Sequence, residues 1–239
     1  MTTPTFPGST AVTLLDVYDD AAPDGVVGGS PHMHLASTEC YVVIAGAGTL
    51  ATIDASGYSE TGLREGTVVW FTPGTIHRAI NGGGLKVAVI MGNAGLPEAG
   101  DAVMTFPSEH LTDRETYLRA ASLRSTDVEL RADEARTRRD LAVLGFNRLR
   151  AALEQGDSAP LAEFYAASAR LVRDLAPSWE TIVRTGPLGQ ARRTLDEIAE
   201  LASGRFAHAS SAAVHRAPQP ATPRGFGMCG RLRAFDVSG

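Results

Sequence analysis

The chain has 239 residues, 44% of them hydrophobic and 21% charged, with a formal net charge of −5. That composition supports a buried core and excludes a disordered or collagen-like chain. No apolar run approaches the roughly 20 residues needed to cross a bilayer, and the acidic balance has the wrong sign for a nucleic-acid footprint, so neither a membrane nor a nucleic acid is expected as a partner.

At the N-terminus, Met1 to Pro7 offers neither a basic start nor an apolar segment of secretory type, and a cytoplasmic protein is expected. Cys40 and Cys229 are far apart and form no C-x-x-C pair, which argues against a disulfide framework or a zinc site built on thiolates. The charge divides the chain. Residues 1–110 carry three basic side chains, Arg64, Arg78 and Lys86, against eleven acidic ones, whereas the remainder carries nineteen against sixteen. Sixteen of the 25 glycines also fall in the first 110 residues, as turns between short strands require. The boundary is placed near 105–112.

Within the first part, residues 40–44, 50–53, 67–71 and 86–91 are apolar and β-branched runs. Between them stand Gly46-Ala47-Gly48, Asp54-Ala55-Ser56-Gly57, Thr72-Pro73-Gly74 and Asn81-Gly82-Gly83-Gly84, read as turns on their glycines and proline. Strands without intervening helices favour an antiparallel sandwich, jelly roll or barrel. Ahead of these runs, Pro31-His32-Met33-His34 places two histidines at i and i+2, so on a strand both imidazoles leave the same face and can share a metal. Glu39 follows His34 at an odd offset, which an unbroken strand would send to the opposite face; the 36–38 stretch must therefore turn or bulge. His77 arrives directly after Thr72-Pro73-Gly74-Thr75-Ile76, a tight turn at a strand end that could hold a fourth ligand rigidly. Any one of these residues alone would be read as a hydrogen-bonded core or solvated group; the four together make a site.

The spacing His32-x-His34-x4-Glu39-x6-Gly46, followed by Gly66-x5-Thr72-Pro73-Gly74-x2-His77-x3-Asn81, resembles the two motifs of the cupin superfamily over about residues 25–95. It departs from them in two places: Val26 stands where the family has its first glycine, with Gly25 displaced by one, and Thr72 where the family usually has proline. The resemblance implies a small antiparallel jelly-roll barrel holding one divalent metal on His32, His34, Glu39 and His77. A nitrogen and oxygen ligand set suits Fe(II), the favoured ion, and also Mn, Ni, Co, Cu or Zn. Four protein ligands leave positions open on a six-coordinate ion, which favours catalysis over a closed structural site.

Parity from Glu39 sends Tyr41 into the same lumen, where its phenol is the candidate catalytic proton donor, with a filled-core role as the plainer alternative. Cys40 points away. Arg78, one residue past His77, is expected at the surface or rim, and the face of Trp70 and Phe71 is open.

From residue 112 the period changes to that of helices. Thr112-Asp113-Arg114-Glu115 and Thr126-Asp127-Val128-Glu129 fit capping boxes. Leu141, Leu144, Leu149 and Leu153 mark a long helix ending at Gly156, and Leu161, Phe164, Tyr165, Ser168, Leu171, Val172 and Leu175 form the stripe of the next. A last helix over about 187–203 shows Ala191, Leu195, Ile198 and Ala202 before Gly204. Such stripes are expected to pack on the barrel or on a partner chain. The arginines of 131–150, interleaved with acids, read as a solvated, ion-paired face. Residues 205–224, with His208 and His215, read as a loop, and 226–237 as a strand returning to the barrel.

The expected organisation is thus α+β: an N-terminal arm (1–24), a jelly-roll barrel (25–105), a helical bundle (106–204), then a loop and returning strand (205–239). The functional expectation is a metal-dependent enzyme acting on a small molecule, foremost a mononuclear non-haem iron oxygenase. A redox-neutral isomerase, epimerase or lyase is the second reading, and a non-catalytic ligand-binding or sensor protein the third. A homodimer is the expected assembly.

Overall fold

The structure is a computed structural model and describes residues 6–220 and 222–237; the first five residues, on which part of the N-terminal reading rests, lie outside it. Nine strands form one antiparallel sheet that closes as a jelly roll: β1 Ala11–Val17, β2 His32–His34, β3 Glu39–Asp54, β4 Gly57–Arg64, β5 Val68–Phe71, β6 Ile76–Met91, β7 Ala102–Met104, β8 Gly225–Phe226 and β9 Gly230–Ala234. The helices α1 Arg114–Ala121, α2 Val128–Glu154, α3 Ala159–Val172, α4 Ala176–Thr185 and α5 Pro187–Ala202 follow the barrel in sequence. No helix of the described residues is long and apolar enough to cross a membrane.

Two expected turns are not turns. β3 and β6 each run unbroken for 16 residues and pair from Glu39 opposite Met91 to Ile53 opposite Ile76, with register shifts between Val43 and Gly48. The glycine clusters at 46–48 and 82–84 are therefore bulges that bend two long strands around the barrel. Gly46 shows why glycine is required there. Its φ is +72°, and a Cβ would lie 2.3 Å from the carbonyl of Gly84.

The stretch expected as an arm supplies β1, which pairs with β6 on one side and β9 on the other. Residues 230–234 thus come back to the barrel as an inner neighbour of β1, not as a loose tail. Alternation along β2 and β6 separates two cores. Inside the barrel lie Leu15, Tyr41, Val43, Phe71, Val87 and Met91. Behind it, Met33, Ile53 and Ile76 share a buried cluster with Phe106, Phe146 and Phe164, so the helical half covers the back of the strands that carry the histidines.

Both helix starts fall one residue later than the capping boxes suggest. Asp113 caps α1 by accepting from Thr116 N–H at 2.8 Å, and Asp127 caps α2 by accepting from Glu129 and Leu130 N–H at 2.9 and 3.0 Å. A carboxylate at the N-cap adds a favourable charge to the helix dipole that threonine lacks. α4, Ala176–Thr185, is a separate helix beyond the stripe that ends at Leu175. Leu144 is exposed, and so are Leu195, Ile198 and Leu201 on α5, a helix with no buried residue; among the described residues the packing expected of that stripe is not found. The arginine face of α2 is also divided. Arg136, Arg148 and Arg150 are solvated, but Arg139 is buried, paired with Asp20 at 2.9 Å and donating to the carbonyls of Asp20 and Ala21. The loop beside α2 has carbonyls that need donors, and Arg139 supplies them.

α2 meets the barrel at Gly145. A Cβ at this position would lie 1.8 Å from the Thr105 carbonyl oxygen, and Thr105 Oγ1 donates to Ala142 O at 2.8 Å. A Gly145→Ala chain is accordingly expected to lose about 2–3 kcal/mol, since overpacking against backbone outweighs the gain in helix propensity of about 1 kcal/mol. Urea unfolding measures it; a variant as stable as the wild type would mean that α2 does not seat on Thr105.

Candidate metal centre

Three histidines and one glutamate converge inside the barrel. β2 and β6 pair with His32 opposite His77, which sets these two rings side by side with centroids 4.2 Å apart. β3 brings Glu39 to the same end, where its Oε2 lies 3.3 Å from His34 Nε2 and 3.2 Å from His77 Nε2. One ligand atom from each of His32, His34, Glu39 and His77 falls within 4.8 Å of the others, and all four side chains are buried. The stretch between His34 and Glu39 leaves the strand conformation, as the odd offset requires.

The outward nitrogens fix how the rings point. His32 Nδ1 lies 3.0 Å from Ser30 O and His77 Nδ1 3.2 Å from Thr75 O, so each donates Nδ1–H to the carbonyl two residues back and keeps the Nε2 lone pair for the interior. His34 Nδ1 faces Asp101 Oδ2 at 3.7 Å, an ion-pair contact longer than a hydrogen bond.

The electrostatics suit a cation. Burial, reinforced by the other two imidazoles, lowers His32 well below its usual pKa, so it is neutral near pH 7. For His34, burial also works against the charged form, but Asp101 and Glu39 outweigh it and lift the pKa to about 9. Burial likewise opposes the charge on Glu39, yet His77 and His34 hold its carboxyl far below the carboxylate range. Glu39 Oε2 and His77 Nε2, buried and aimed at the same space, satisfy no hydrogen bond. Such atoms are costly to leave unpaired, and a divalent ion bound there would satisfy them together; the residues present fit a metal of the nitrogen and oxygen class.

Tyr41 enters the lumen two residues beyond Glu39. Its ring is fully buried, edge-on to Phe71 at 5.4 Å and to His77 at 6.5 Å. The hydroxyl donates to Cys229 Sγ at 3.8 Å, and burial, with Cys229 and Glu39 nearby, raises its pKa well above 10. Arg78 faces away from the lumen, but it is buried instead of lying at a rim: Asp24 pairs with it, and its guanidinium also donates to Val26 O. The loop between β1 and β2 covers that face. Trp70 lies outside, 70% exposed, and Phe71 inside.

Two neighbours of the site went unread in sequence. Cys229, from the C-terminal return, places its thiol 4.0 Å from His32 Nδ1, and burial pushes its pKa up to about 12. Asp101 reaches the loop before Glu39. Neither has a local motif, because each meets the site through long-range pairing. Both cysteines are free.

Residues 21–91 match the family model described as Cupin domain. No curated protein matches the chain. Among solved structures, the chain is similar to the capsular polysaccharide assembling protein CapF from Staphylococcus aureus, at 18% identity over 37% of this chain and 25% of that one, with a TM-score of 0.28. It thus spans about a quarter of the length of CapF. An uncharacterized conserved protein with a double-stranded β-helix domain from Klebsiella pneumoniae matches at 21% identity over 36% of this chain and 70% of its own, with a TM-score of 0.28. WlaRA, a TDP-fucose-3,4-ketoisomerase from Campylobacter jejuni, matches at 11% identity over 38% and 64%, with a TM-score of 0.31. The matched residues 21–91 contain both motifs and strands β2 to β6, and the fold they share in is the antiparallel jelly roll of a cupin, completed by strands outside the match.

Proposed function

We propose that His32, His34, Glu39 and His77 hold one divalent metal ion, and that the chain is a metal-dependent enzyme acting on a small, largely apolar molecule, foremost as an Fe(II) oxygenase. The observation that carries this reading is the buried convergence of four ligand atoms, two of which have no hydrogen-bond partner of their own. Bound there, an ion supplies Lewis acidity and, if iron, O2 chemistry at the coordination positions the protein leaves open.

The residues around the site set what it can accept. Leu15, Phe71, Val89 and Met91 share a buried cluster with Tyr41, apolar surroundings that favour an apolar substrate over a charged one. Ser30 O and Thr75 O hold two of the imidazoles in the tautomer that presents Nε2.

One observation favours the redox-neutral alternative, an isomerase, epimerase or lyase: the Tyr41 phenol is in the same lumen as the four residues, its ring edge-on to His77 at 6.5 Å, where it is the candidate proton donor. Oxygen dependence separates the two. Fe(II)-loaded protein challenged with a panel of small apolar substrates is expected to turn over in air and not under argon, with O2 consumed. Full anaerobic turnover that falls by about 10²-fold or more in Tyr41→Phe, with metal content intact, would replace oxygenation by proton transfer.

A further inference from the structure

Glu39 can serve beside His34 only if the backbone between them breaks strand alternation, and one side chain holds that break. Asp101 stands immediately before β7. Because β7 pairs antiparallel with β2, with His34 opposite Ala102, the residue before Ala102 must meet the residue after His34. The Asp101 carboxylate accepts three successive backbone N–H groups: Leu35 at 3.0 Å and Ala36 at 2.7 Å on Oδ1, and Ser37 at 2.9 Å on Oδ2. The Leu35 N–H is shared with the Asp101 carbonyl oxygen, also at 3.0 Å. Asp101 is wholly buried. A run of amides converging on one ionised carboxylate is a strong, charge-assisted clamp.

The same Oδ2 faces the outward nitrogen of His34 at 3.7 Å, and His34 Nδ1 has no other partner. His32 and His77 rest on backbone carbonyls at the equivalent atom, but His34 rests on a carboxylate. We infer that Asp101 is the positioning residue of the metal centre: it fixes the ring orientation of His34 and, through the 35–37 amides, delivers Glu39 to the same face. This inference rests on the metal reading above and adds to it a residue outside both motifs. A clamp with only a structural role would affect the loop and the stability of the chain. A positioning residue also changes how tightly an ion is held, because a carboxylate on the far nitrogen of a ligating histidine orients the ring and raises its basicity.

The test is Zn(II) affinity of the full-length chain, measured by competition with a chromophoric chelator, in the wild type and in Asp101→Asn. Asparagine fills the same volume but turns one acceptor into a donor facing Ser37 N–H and His34. Zn(II) binding is expected to weaken by about 10- to 100-fold. An Asp101→Asn chain with a lowered melting temperature but wild-type affinity overturns the inference and leaves the metal reading intact, whereas a wild-type chain that binds no Zn(II) overturns both. A second measurement needs no variant: nitrogen NMR of the Zn(II)-loaded wild type is expected to show His34 bound through Nε2 with the proton on Nδ1. Coordination through Nδ1 would overturn the inference even if Asp101→Asn fails to fold.

Discussion

A His34→Ala chain is expected to lose its bound divalent ion altogether, while the barrel stays folded. Four side chains make up the proposed ligand set, and His34 Nε2 is the nitrogen 3.3 Å from Glu39 Oε2. Its removal deletes a ligand and at the same time leaves Glu39 a buried carboxylate with one partner fewer. The affinity loss should exceed the 10- to 100-fold typical of an outer-shell partner. Elemental analysis gives the direct measure: one ion per chain in the wild type, almost none in the variant. A thermal shift gives an independent one, because an ion that binds only the folded state stabilises it by about 2.7 kcal/mol at a hundred times its Kd. Added Zn(II) should therefore raise the melting temperature of the wild type and leave that of His34→Ala unmoved. Stoichiometric metal in a His32→Ala, His34→Ala double variant with an unaltered fold would sink the assignment.

The centre was legible in sequence because its geometry is mostly local. Strand alternation alone puts His32 and His34 on one face, and parity carries Tyr41 to the side of Glu39, where the ring is found. What parity could not show is which face is covered from outside. Arg78 does point away from the lumen, yet Asp24 and the 18–28 segment lie over it and bury it. Glycine is ambiguous in the same way. Positive φ serves a turn and a bulge equally, and only the pairing of Ala47 with Gly83 reveals that residues 46–48 bend one strand instead of ending it. Asp101 and Cys229 lie 67 and 197 residues from the histidines they approach, His34 and His32; no window of sequence contains both ends of those contacts.

The shift in charge and glycine near residue 105 invites the idea that the barrel is separable, and the structure predicts that it is not. A chain ended at residue 105 would lose Phe106, Phe146 and Phe164 from the cluster they share with Met33, Ile53 and Ile76. Burying one such apolar side chain stabilises by about 1.5–3 kcal/mol, so uncovering these three removes about 5–9 kcal/mol, comparable with the 5–15 kcal/mol that holds a whole domain together. The cut also removes β9, which pairs with β1 along Thr13 to Val17, and takes Cys229 from behind His32. The exposed face would be the back of β2 and β6, the strands whose fronts carry three of the four proposed ligands, so stability and metal binding should fail together. Size-exclusion chromatography and circular dichroism of residues 1–105 are the check, with aggregation or loss of β signal expected. A monodisperse fragment that retains the β spectrum and binds one Zn(II) per chain would show that the helices cover nothing the metal centre needs.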